Sequence, residues 1–330
     1  MSINYNKYKK IIFEQNFDFE RLSLIVFEYQ FYNNKTYQNF CDLLHKNPEN
    51  VKKTTEIPFF PVDFFKNQKI ISNNEKEKIV FSSSSTTSII PSKHYVTDIE
   101  IYENSFISTF KKFYGNPTDY CILGLLPSYI ERGDSSLIYM VQKLIKLSSN
   151  KDSGFYLNEY ENLFQLLKKL EEKSQKYILF GVSYALLNFC EYCNISLKNS
   201  IIIETGGMKG KRKEITKSEL HKILKTNFGV EQIHSEYGMT ELLSQAYSQE
   251  NEIFHCPPYM KIFVGDIHDP LAVKSQGIGS INIIDLANIN SCCFIATSDI
   301  GEVFTDGSFK ILGRMDNSEI RGCNLMVSML

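Results

Sequence analysis

Two kinds of hydrophobic pattern alternate along the first three quarters of the chain. Apolar residues recur near helical spacing in residues 18–45, 98–114, 134–147, 157–172 and 183–191, and in the stretch that begins at Thr216. Short apolar runs of strand length lie between them, at residues 76–81, 120–126, 177–182 and 200–204. Because strands that alternate with helices are typical of a parallel sheet with helices on its faces, the sequence predicts an α/β fold.

The pattern changes beyond about residue 255. Short segments that alternate polar and apolar residues follow, at residues 261–264, 280–285, 302–304 and 309–312. This spacing predicts a smaller subdomain of antiparallel or barrel-like strands. We therefore predict an α/β region over residues 1–255, a β-rich subdomain over 256–315, and a hinge with a short tail over 316–330.

Composition and charge narrow the classes of function. The 36 basic and 38 acidic side chains nearly balance, so no strong field attracts nucleic acid or an anionic membrane. The amino terminus lacks the apolar core of a signal peptide, and no apolar run is long enough to span a bilayer. The eight cysteines are scattered irregularly, which favours reduced thiols in the cytoplasm over a disulfide framework.

A hydroxyl-rich run follows the predicted strand at residues 76–81. Its central members are Ser84, Ser85, Thr86 and Thr87. Such a loop can wrap phosphates with hydroxyl and backbone N–H groups, and Lys93 adds a positive charge after it. A flexible serine linker is the alternative. The preceding strand, together with Pro91 and Lys93, favours the phosphate loop.

Residues 234–248 carry the densest set of candidate groups. Gly238 follows an apolar, strand-like lead and permits the backbone to approach a ligand closely. The apolar spacing in residues 242–246 predicts a helix, and Thr240 offers a hydroxyl near its start, where N–H groups favour anions. Glu241 is placed to hold a divalent cation that bridges phosphates.

A glycine pair forms a second candidate turn, directly after the predicted strand at residues 200–204. Gly206 and Gly207 allow the backbone to lie flat against a planar ring or a phosphate, although such a turn is a weak signal by itself. Lys211 and Arg212 follow it and are either a solvated surface or a contact for phosphates or a partner protein.

The motifs occur in the order phosphate loop, Gly-Gly turn, Tyr-Gly-Met-Thr-Glu, Thr-Ser-Asp and Gly-Arg-x-Asp, which resembles the acyl-adenylate-forming enzymes. Longer strings resemble one branch of them, the acyl-protein synthetases of the LuxE type. These strings are Lys93-His-Tyr-Val, Leu126-Pro-Ser-Tyr and Glu204-Thr-Gly-Gly-Met-Lys-Gly. The resemblance covers roughly residues 80–327.

This resemblance implies an adenylate-forming fold and a two-step reaction. ATP and Mg²⁺ would activate a long-chain fatty acid, or another small carboxylic acid, as an acyl-adenylate. The acyl group would then pass to a protein cysteine as a thioester, and an acyl reductase or acyl transferase would be a partner. Lys93, Thr240 and Glu241 would act on the phosphates, with Glu241 holding Mg²⁺.

The resemblance also assigns the nucleotide contacts. The phosphate loop would bind phosphates and the Gly-Gly turn would border the adenine, while Asp316 would be the hinge between domains. The ribose would meet the carboxylate of Asp299, which can accept two hydrogen bonds. The remaining implied contacts are Tyr237, Gly238, Met239 and Arg314.

The chain departs from the family pattern at Ser85, Ser88 and Ser298, where the pattern has glycines. These departures motivate an alternative, an acyl- or nucleotide-binding protein with weakened catalysis on the same fold. The sequence also stops just past the hinge motif, so we expect the mobile carboxyl-terminal domain of the wider superfamily to be absent or vestigial.

Cys323 is the candidate acyl acceptor. Arg321 lies beside it, and nearby positive charge favours the thiolate, which can attack an acyl-adenylate. The resemblance implies an acylated cysteine near the carboxyl terminus. The alternatives are a buried structural cysteine at this position and a small thiol such as coenzyme A as the acceptor.

Overall fold

In the computed structural model, the described residues are 3–13, 16–73, 75–83, 90–127, 133–193, 195–208, 211–213, 215–266, 269 and 271–315. The chain divides into two compact units, one of Met1–Lys76 with Pro258–Leu330 and one of Glu77–Pro257. We call them the β-rich unit and the α/β unit. This division differs from the predicted one, which placed residues 1–255 in a single region.

Nine α-helices lie in the part of the chain that the structure describes. They are α1 (Tyr5–Phe13), α2 (Phe19–Asn33), α3 (Lys35–Leu43), α4 (Phe64–Asn67), α5 (Ile99–Tyr114), α6 (Ser136–Ser148), α7 (Tyr160–Glu172), α8 (Ser183–Tyr192) and α9 (Lys217–Phe228). Helix α9 begins with the capping box that Thr216 and Glu219 predict, since each bonds the backbone N–H of the other. No helix among these residues is long and apolar enough to cross a membrane.

The strands of the α/β unit are β2 (Ile79–Ser82), β3 (Lys93–Val96), β4 (Cys121–Leu125), β5 (Gly154–Phe155), β6 (Tyr177–Val182), β7 (Ser200–Thr205), β8 (His234–Tyr237) and β9 (Ala246–Ser248). The β-rich unit contains β1 (Phe60–Pro61), β10 (Met260–Gly265), β11 (Val273–Lys274), β12 (Gly277–Asp285), β13 (Phe294–Val303) and β14 (Phe309–Arg314).

The α/β unit is built on a sheet with the strand order β5-β4-β6-β7-β8-β9. The pairs from β5 to β8 are parallel, and β9 is antiparallel to β8. Every residue of β4 and β6 is buried, as expected of central strands covered on both faces. The predicted parallel sheet flanked by helices is therefore confirmed. Strands β2 and β3 form a separate antiparallel hairpin.

The β-rich unit has a sheet with the order β1-β13-β12-β10-β11, and β14 also pairs with β13. Its pairs are antiparallel except β1 with β13. The predicted β-rich character of the later chain is confirmed. The amino-terminal helices belong to this unit because Phe27 and Tyr37 pack on Phe294, while Phe60 in β1 pairs with Ile295.

Two helix predictions were wrong. The helix expected over residues 18–45 is divided into α2 and α3 at Asn34, whose extended backbone ends one helix and whose side chain caps the next. The helix expected over residues 242–246 does not form. Instead β9 begins at Ala246 and pairs with β8, so the buried apolar residues there pack in loop and strand rather than on a helix face.

Candidate active site

The carboxyl ends of β7 and β8 lie side by side, because Glu204 is paired with Ser235 in a parallel ladder. In open α/β sheets this edge is where ligands bind. Gly206 leaves β7 with a φ of 70°, a conformation that favours glycine. A side chain added at Gly207 would meet no atom within 4 Å, so open space lies beside the turn. The geometry leaves room for a planar ring or a phosphate there.

A buried carboxylate joins the two strand exits. Thr205, the last residue of β7, donates a hydrogen bond to Glu236 of β8. Glu236 also lies against Gly238, where an added Cβ would be 2.5 Å from the Glu236 carboxylate. A side chain at position 238 would therefore require the Glu236 carboxylate to move. The structure thus brings the Gly-Gly turn next to the Tyr237-Gly238 segment.

The residues after Gly238 form a turn rather than a helix start. The N–H of Leu242 donates to the carbonyl oxygen of Met239 at 3.2 Å. Glu241 is buried within this turn, whereas Thr240 is partly exposed. The carbonyl oxygen of Thr240 lies 2.8 Å from Nδ1 of His94. Sequence reasoning assigned no role to His94, and its place in the Lys93-His-Tyr-Val string was the available signal.

The β2–β3 hairpin carries the predicted phosphate loop. Ser82 pairs with Lys93, and the loop is closed at its base because the N–H of Ser83 donates to the carbonyl of Ser92 at 3.0 Å. Lys93 is exposed at the start of β3. Four candidate phosphate contacts lie outside the described residues: Ser84, Ser85, Thr86 and Thr87.

A second buried carboxylate lies at the base of the Gly-Gly turn. Glu204 accepts hydrogen bonds from Lys217 at 2.5 Å, Ser235 at 2.7 Å and Ser183 at 3.2 Å, and His221 lies 3.5 Å away. Burial alone raises the pKa of Glu204, but the charge of Lys217 and the hydrogen bonds lower it to about 2. Sequence reasoning missed this cluster, although Glu204 opens the Glu-Thr-Gly-Gly string.

Lys217 connects this cluster to a candidate nucleotide contact. Its ammonium lies 5.2 Å from the ring centre of Phe254, a cation–π geometry. The ring of Phe254 meets that of Tyr237 edge-on at 5.9 Å. Tyr237 is therefore held on one side by the buried ring of Phe254, which contacts the partly exposed Lys217 and through it Glu204.

Two other predicted contacts lie together in the β-rich unit. Asp299 of β13 is paired with Arg314 of β14, and Oδ1 of Asp299 lies 3.9 Å from Nε of Arg314. The N–H of Asp299 donates to Oγ1 of Thr297 at 3.1 Å. Asp316 and Cys323 lie outside the described residues.

Clustered metal-ligating side chains and reactive thiols are the other features that could carry chemistry. No group of three or more His, Cys, Asp or Glu side chains in the described ranges is able to hold a metal ion. A cation at Glu241 would therefore take its other ligand oxygens from a phosphate, water or the backbone. Burial raises the pKa of Cys190 to about 12 and that of Cys193 to about 11, so both remain thiols at neutral pH.

The fold defines the class of this protein. An open conformation of 2-hydroxyisobutyryl-CoA ligase, in complex with 2-HIB-AMP and CoA, matches 90% of this chain and 74% of its own with a TM-score of 0.65 at 10% identity. ATP-bound MatB from Rhodopseudomonas palustris matches 73% of this chain with a TM-score of 0.55 at 14% identity. The chain spans about half of the MatB chain, 49%. The predicted adenylate-forming fold is confirmed.

The family follows from the sequence match. The model of the acyl-protein synthetase family, LuxE, matches residues 9–329, so the chain belongs to that family. The long-chain-fatty-acid–luciferin-component ligase of Vibrio harveyi is 22% identical over 337 residues, which cover 93% of this chain and 86% of that protein. The predicted family and the predicted enzyme class, an acyl-protein ligase, are confirmed.

Proposed function

We propose that this protein activates a long-chain fatty acid with ATP and transfers the acyl group to a protein cysteine. In the first step a carboxylate oxygen attacks the α-phosphorus of ATP, an O–P bond forms, and the bond to the bridging oxygen of pyrophosphate breaks. In the second step a thiolate attacks the acyl carbon, a C–S bond forms, and AMP leaves. The name of the Vibrio harveyi relative supports the fatty acid as substrate.

The observation that carries this proposal is the meeting of three segments at one edge of the parallel sheet. The Gly-Gly turn, the Tyr237-Gly-Met-Thr-Glu segment and the β2–β3 hairpin are joined by the Thr205–Glu236 and His94–Thr240 hydrogen bonds. Such an edge is the usual ligand site of open α/β sheets. The open space beside Gly207 and the tight packing at Gly238 suit a nucleotide that lies along the backbone.

Each group at this edge has a proposed task. Lys93 and the hydroxyls of the phosphate loop would neutralise and orient the phosphates of ATP. The Thr240 hydroxyl would bind the α-phosphate. Glu241 would supply one oxygen ligand to Mg²⁺, with phosphate oxygens completing the shell, and the cation would offset the charge that builds on the leaving pyrophosphate. Gly206, Gly207 and Tyr237 would border the adenine.

The second unit and the carboxyl-terminal segment contribute the remaining proposed roles. Asp299 and Arg314 would bind the ribose, since a carboxylate accepts two hydroxyl hydrogen bonds. Cys323 would be the acyl acceptor. An acyl reductase or acyl transferase would exchange the acyl group with this protein. We also propose a cytoplasmic location, which is supported by the absence of disulfide bonds among the cysteines of the described ranges.

ATP–pyrophosphate exchange, measured across saturated fatty acids of increasing length, tests the first step. We expect exchange that depends on Mg²⁺ and is fastest with a long chain. No exchange with any acid would contradict the enzyme proposal. Calorimetric binding of ATP without turnover would then favour the alternative of a nucleotide-binding protein.

Incubation with ATP and labelled fatty acid tests the second step. We expect a protein label that neutral hydroxylamine removes, as a thioester requires. The Cys323→Ser variant should lose that label and still form acyl-adenylate, because the proposed adenylating groups lie elsewhere. A label that persists in Cys323→Ser would assign the acceptor role to another thiol. Acyl-CoA formation that survives the substitution would favour coenzyme A as the acceptor.

A further inference from the structure

His94 is a buried residue that has no task in the reaction proposed above. It lies on β3 with an exposed fraction of 1%. Its Nδ1 is 2.8 Å from the carbonyl oxygen of Thr240, a residue 146 positions away in the sequence. A carbonyl oxygen only accepts hydrogen bonds, so Nδ1 must carry the proton and donate. The contact therefore has a fixed direction and depends on one tautomer.

This hydrogen bond holds the peptide that links two proposed catalytic residues. The carbonyl of Thr240 and the N–H of Glu241 belong to one planar peptide unit, so fixing the oxygen also fixes the direction of that N–H. The following peptide is held as well, because the N–H of Leu242 donates to the carbonyl of Met239. The backbone that carries the Thr240 and Glu241 side chains consequently has little freedom to rotate.

The other end of the hydrogen bond is anchored in the phosphate-loop hairpin. His94 is paired with Phe81 in the β2–β3 ladder, and Lys93 directly precedes it at the end of that ladder. Phe81 is fully buried and contacts the rings of Tyr102 and Tyr139, which fixes the hairpin within the α/β unit. A movement of His94 would therefore carry Lys93 with it.

We propose that His94 is a positioning residue that sets Lys93 at a fixed distance from the Thr240–Glu241 peptide. This proposal rests on the proposed function, in which the two segments bind the same phosphates. The buried hydrogen bond of His94 to Thr240 joins the segment that supplies a positive charge to the segment that supplies a hydroxyl and a carboxylate. Misplacement of such groups by about 1 Å lowers rates by about 100-fold.

Two substitutions separate the hydrogen bond from the bulk of the ring. The amide nitrogen of His94→Asn lies about where Nδ1 lies and is still able to donate to Thr240. The amide nitrogen of His94→Gln corresponds to Nε2 and does not. We expect His94→Asn to keep ATP–pyrophosphate exchange activity near that of the wild type. His94→Gln should lower kcat on the order of 100-fold with little change in KM for ATP, because alignment rather than binding is lost.

Amide hydrogen exchange of the free protein supplies a readout that needs no nucleotide. Peptides covering residues 79–83, 90–96 and 239–242 should exchange faster in His94→Gln and at the wild-type rate in His94→Asn. The control is His45→Gln, at an exposed histidine of the β-rich unit, which should leave kcat and these peptides unchanged.

Equal loss of activity in His94→Asn and His94→Gln would overturn the proposal. The packing of the imidazole ring would then matter, and not the hydrogen bond that Nδ1 donates. Wild-type kcat in a folded His94→Gln protein would overturn it too. If His94→Gln fails to fold, the Asn variant decides, because inactivity of folded His94→Asn contradicts the role. If the wild-type protein shows no ATP–pyrophosphate exchange with any acid, the proposed function fails. Amide hydrogen exchange still tests whether His94 links the two segments.

Discussion

The two units hold their candidate groups in different ways. In the α/β unit the carboxylates of Glu204 and Glu236 are buried and receive hydrogen bonds from neighbouring strands or helices. In the β-rich unit the Arg314 side chain is 73% exposed and its Nε lies 3.9 Å from Asp299, with which it is paired in the β13–β14 ladder. The first arrangement is preorganised by folding, whereas in the second the exposed Arg314 side chain is able to adjust its conformation.

This difference predicts where stability and function are coupled. Glu204 and Glu236 are part of the core of the α/β unit, so altering them should change folding and activity together. Substitution of the exposed Arg314 in the β-rich unit should affect a ligand and leave folding almost unchanged, because an ion pair with an exposed partner contributes little. Four substitutions test this comparison.

The largest effect is expected at Glu204. Glu204→Gln leaves the Lys217 ammonium without its carboxylate in a largely buried site, and breaking such a pair destabilises by about 3–5 kcal/mol. Urea unfolding of the variant and the wild type gives the difference in free energy of unfolding. The matched control is Glu191→Gln, which removes the exposed partner of Arg212 and should have a small effect. Equal effects at the two sites would contradict the comparison.

The same carboxylate predicts a pH dependence. The pKa of Glu204 is lower in the folded protein, about 2, than the ordinary value of 4.5. Its contribution to stability is therefore full above pH 4.5 and is lost as the pH falls toward 2, where the folded state must take up the proton. In Glu204→Gln the free energy of unfolding should therefore decline less than in the wild type as the pH falls below 4.5.

Glu241→Gln should act mainly on the reaction. A neutral amide binds Mg²⁺ more weakly than a carboxylate, so we expect adenylation to fall on the order of 100-fold. ATP–pyrophosphate exchange measures the loss, and far-ultraviolet circular dichroism checks that the fold is kept. A wild-type exchange rate in the variant would remove the assignment of Glu241 as the metal ligand.

His234 should give a smaller effect, confined to acid. It lies at the start of β8, with Nδ1 3.3 Å from the hydroxyl of Tyr114. Burial first, and then the nearby His221, lower the pKa of His234 from 6.5 to about 4. Its contribution to stability is present above pH 6.5 and declines as the pH falls toward 4, because the unfolded chain binds the proton first. The melting temperature of His234→Phe should depend less on pH between 6.5 and 4 than that of the wild type. An unchanged dependence on pH would assign the effect to another group.

The smallest effect is expected at Arg314. Arg314→Gln should raise KM for ATP about two- to fivefold, since an exposed charge interaction is worth ~1 kcal/mol or less. The melting temperature should stay at the wild-type value. A loss of stability like that of Glu204→Gln would show that the pair in the β-rich unit is structural after all.

Much of the α/β unit was predictable because its signals are local. The buried strands β4, β6 and β7 appear as short apolar runs, and the capping box at Thr216 depends on residues three positions apart. Hydrophobic periodicity gave the wrong secondary structure where strand pairing determines it. The spacing of residues 242–246 fits a helix, yet pairing with β8 makes the end of that segment a strand.

The contacts that sequence reasoning missed join distant positions. Two examples are the hydrogen bond between His94 and Thr240 and the pairing of Phe60 with Ile295. Contacts between segments so far apart in the sequence produce no periodic pattern of apolar residues. The ion pair of Glu204 with Lys217 also needs the fold, because it depends on how α9 packs against β7. By contrast, the Gly-Gly turn and the Tyr237-Gly-Met-Thr-Glu segment were found by sequence because their motifs are contiguous.

The division of the chain into units also sets an order of assembly during synthesis. The α/β unit is one continuous stretch, whereas the β-rich unit needs residues from both sides of it. At roughly 5–20 residues per second, the ribosome needs several seconds to add the 73 residues from Pro258 to Leu330. Until Phe294 emerges, Phe27 and Tyr37 lack the ring they pack against in the finished protein. The earliest part of the chain is thus the last to be completed, and it is where a nascent-chain chaperone would bind longest.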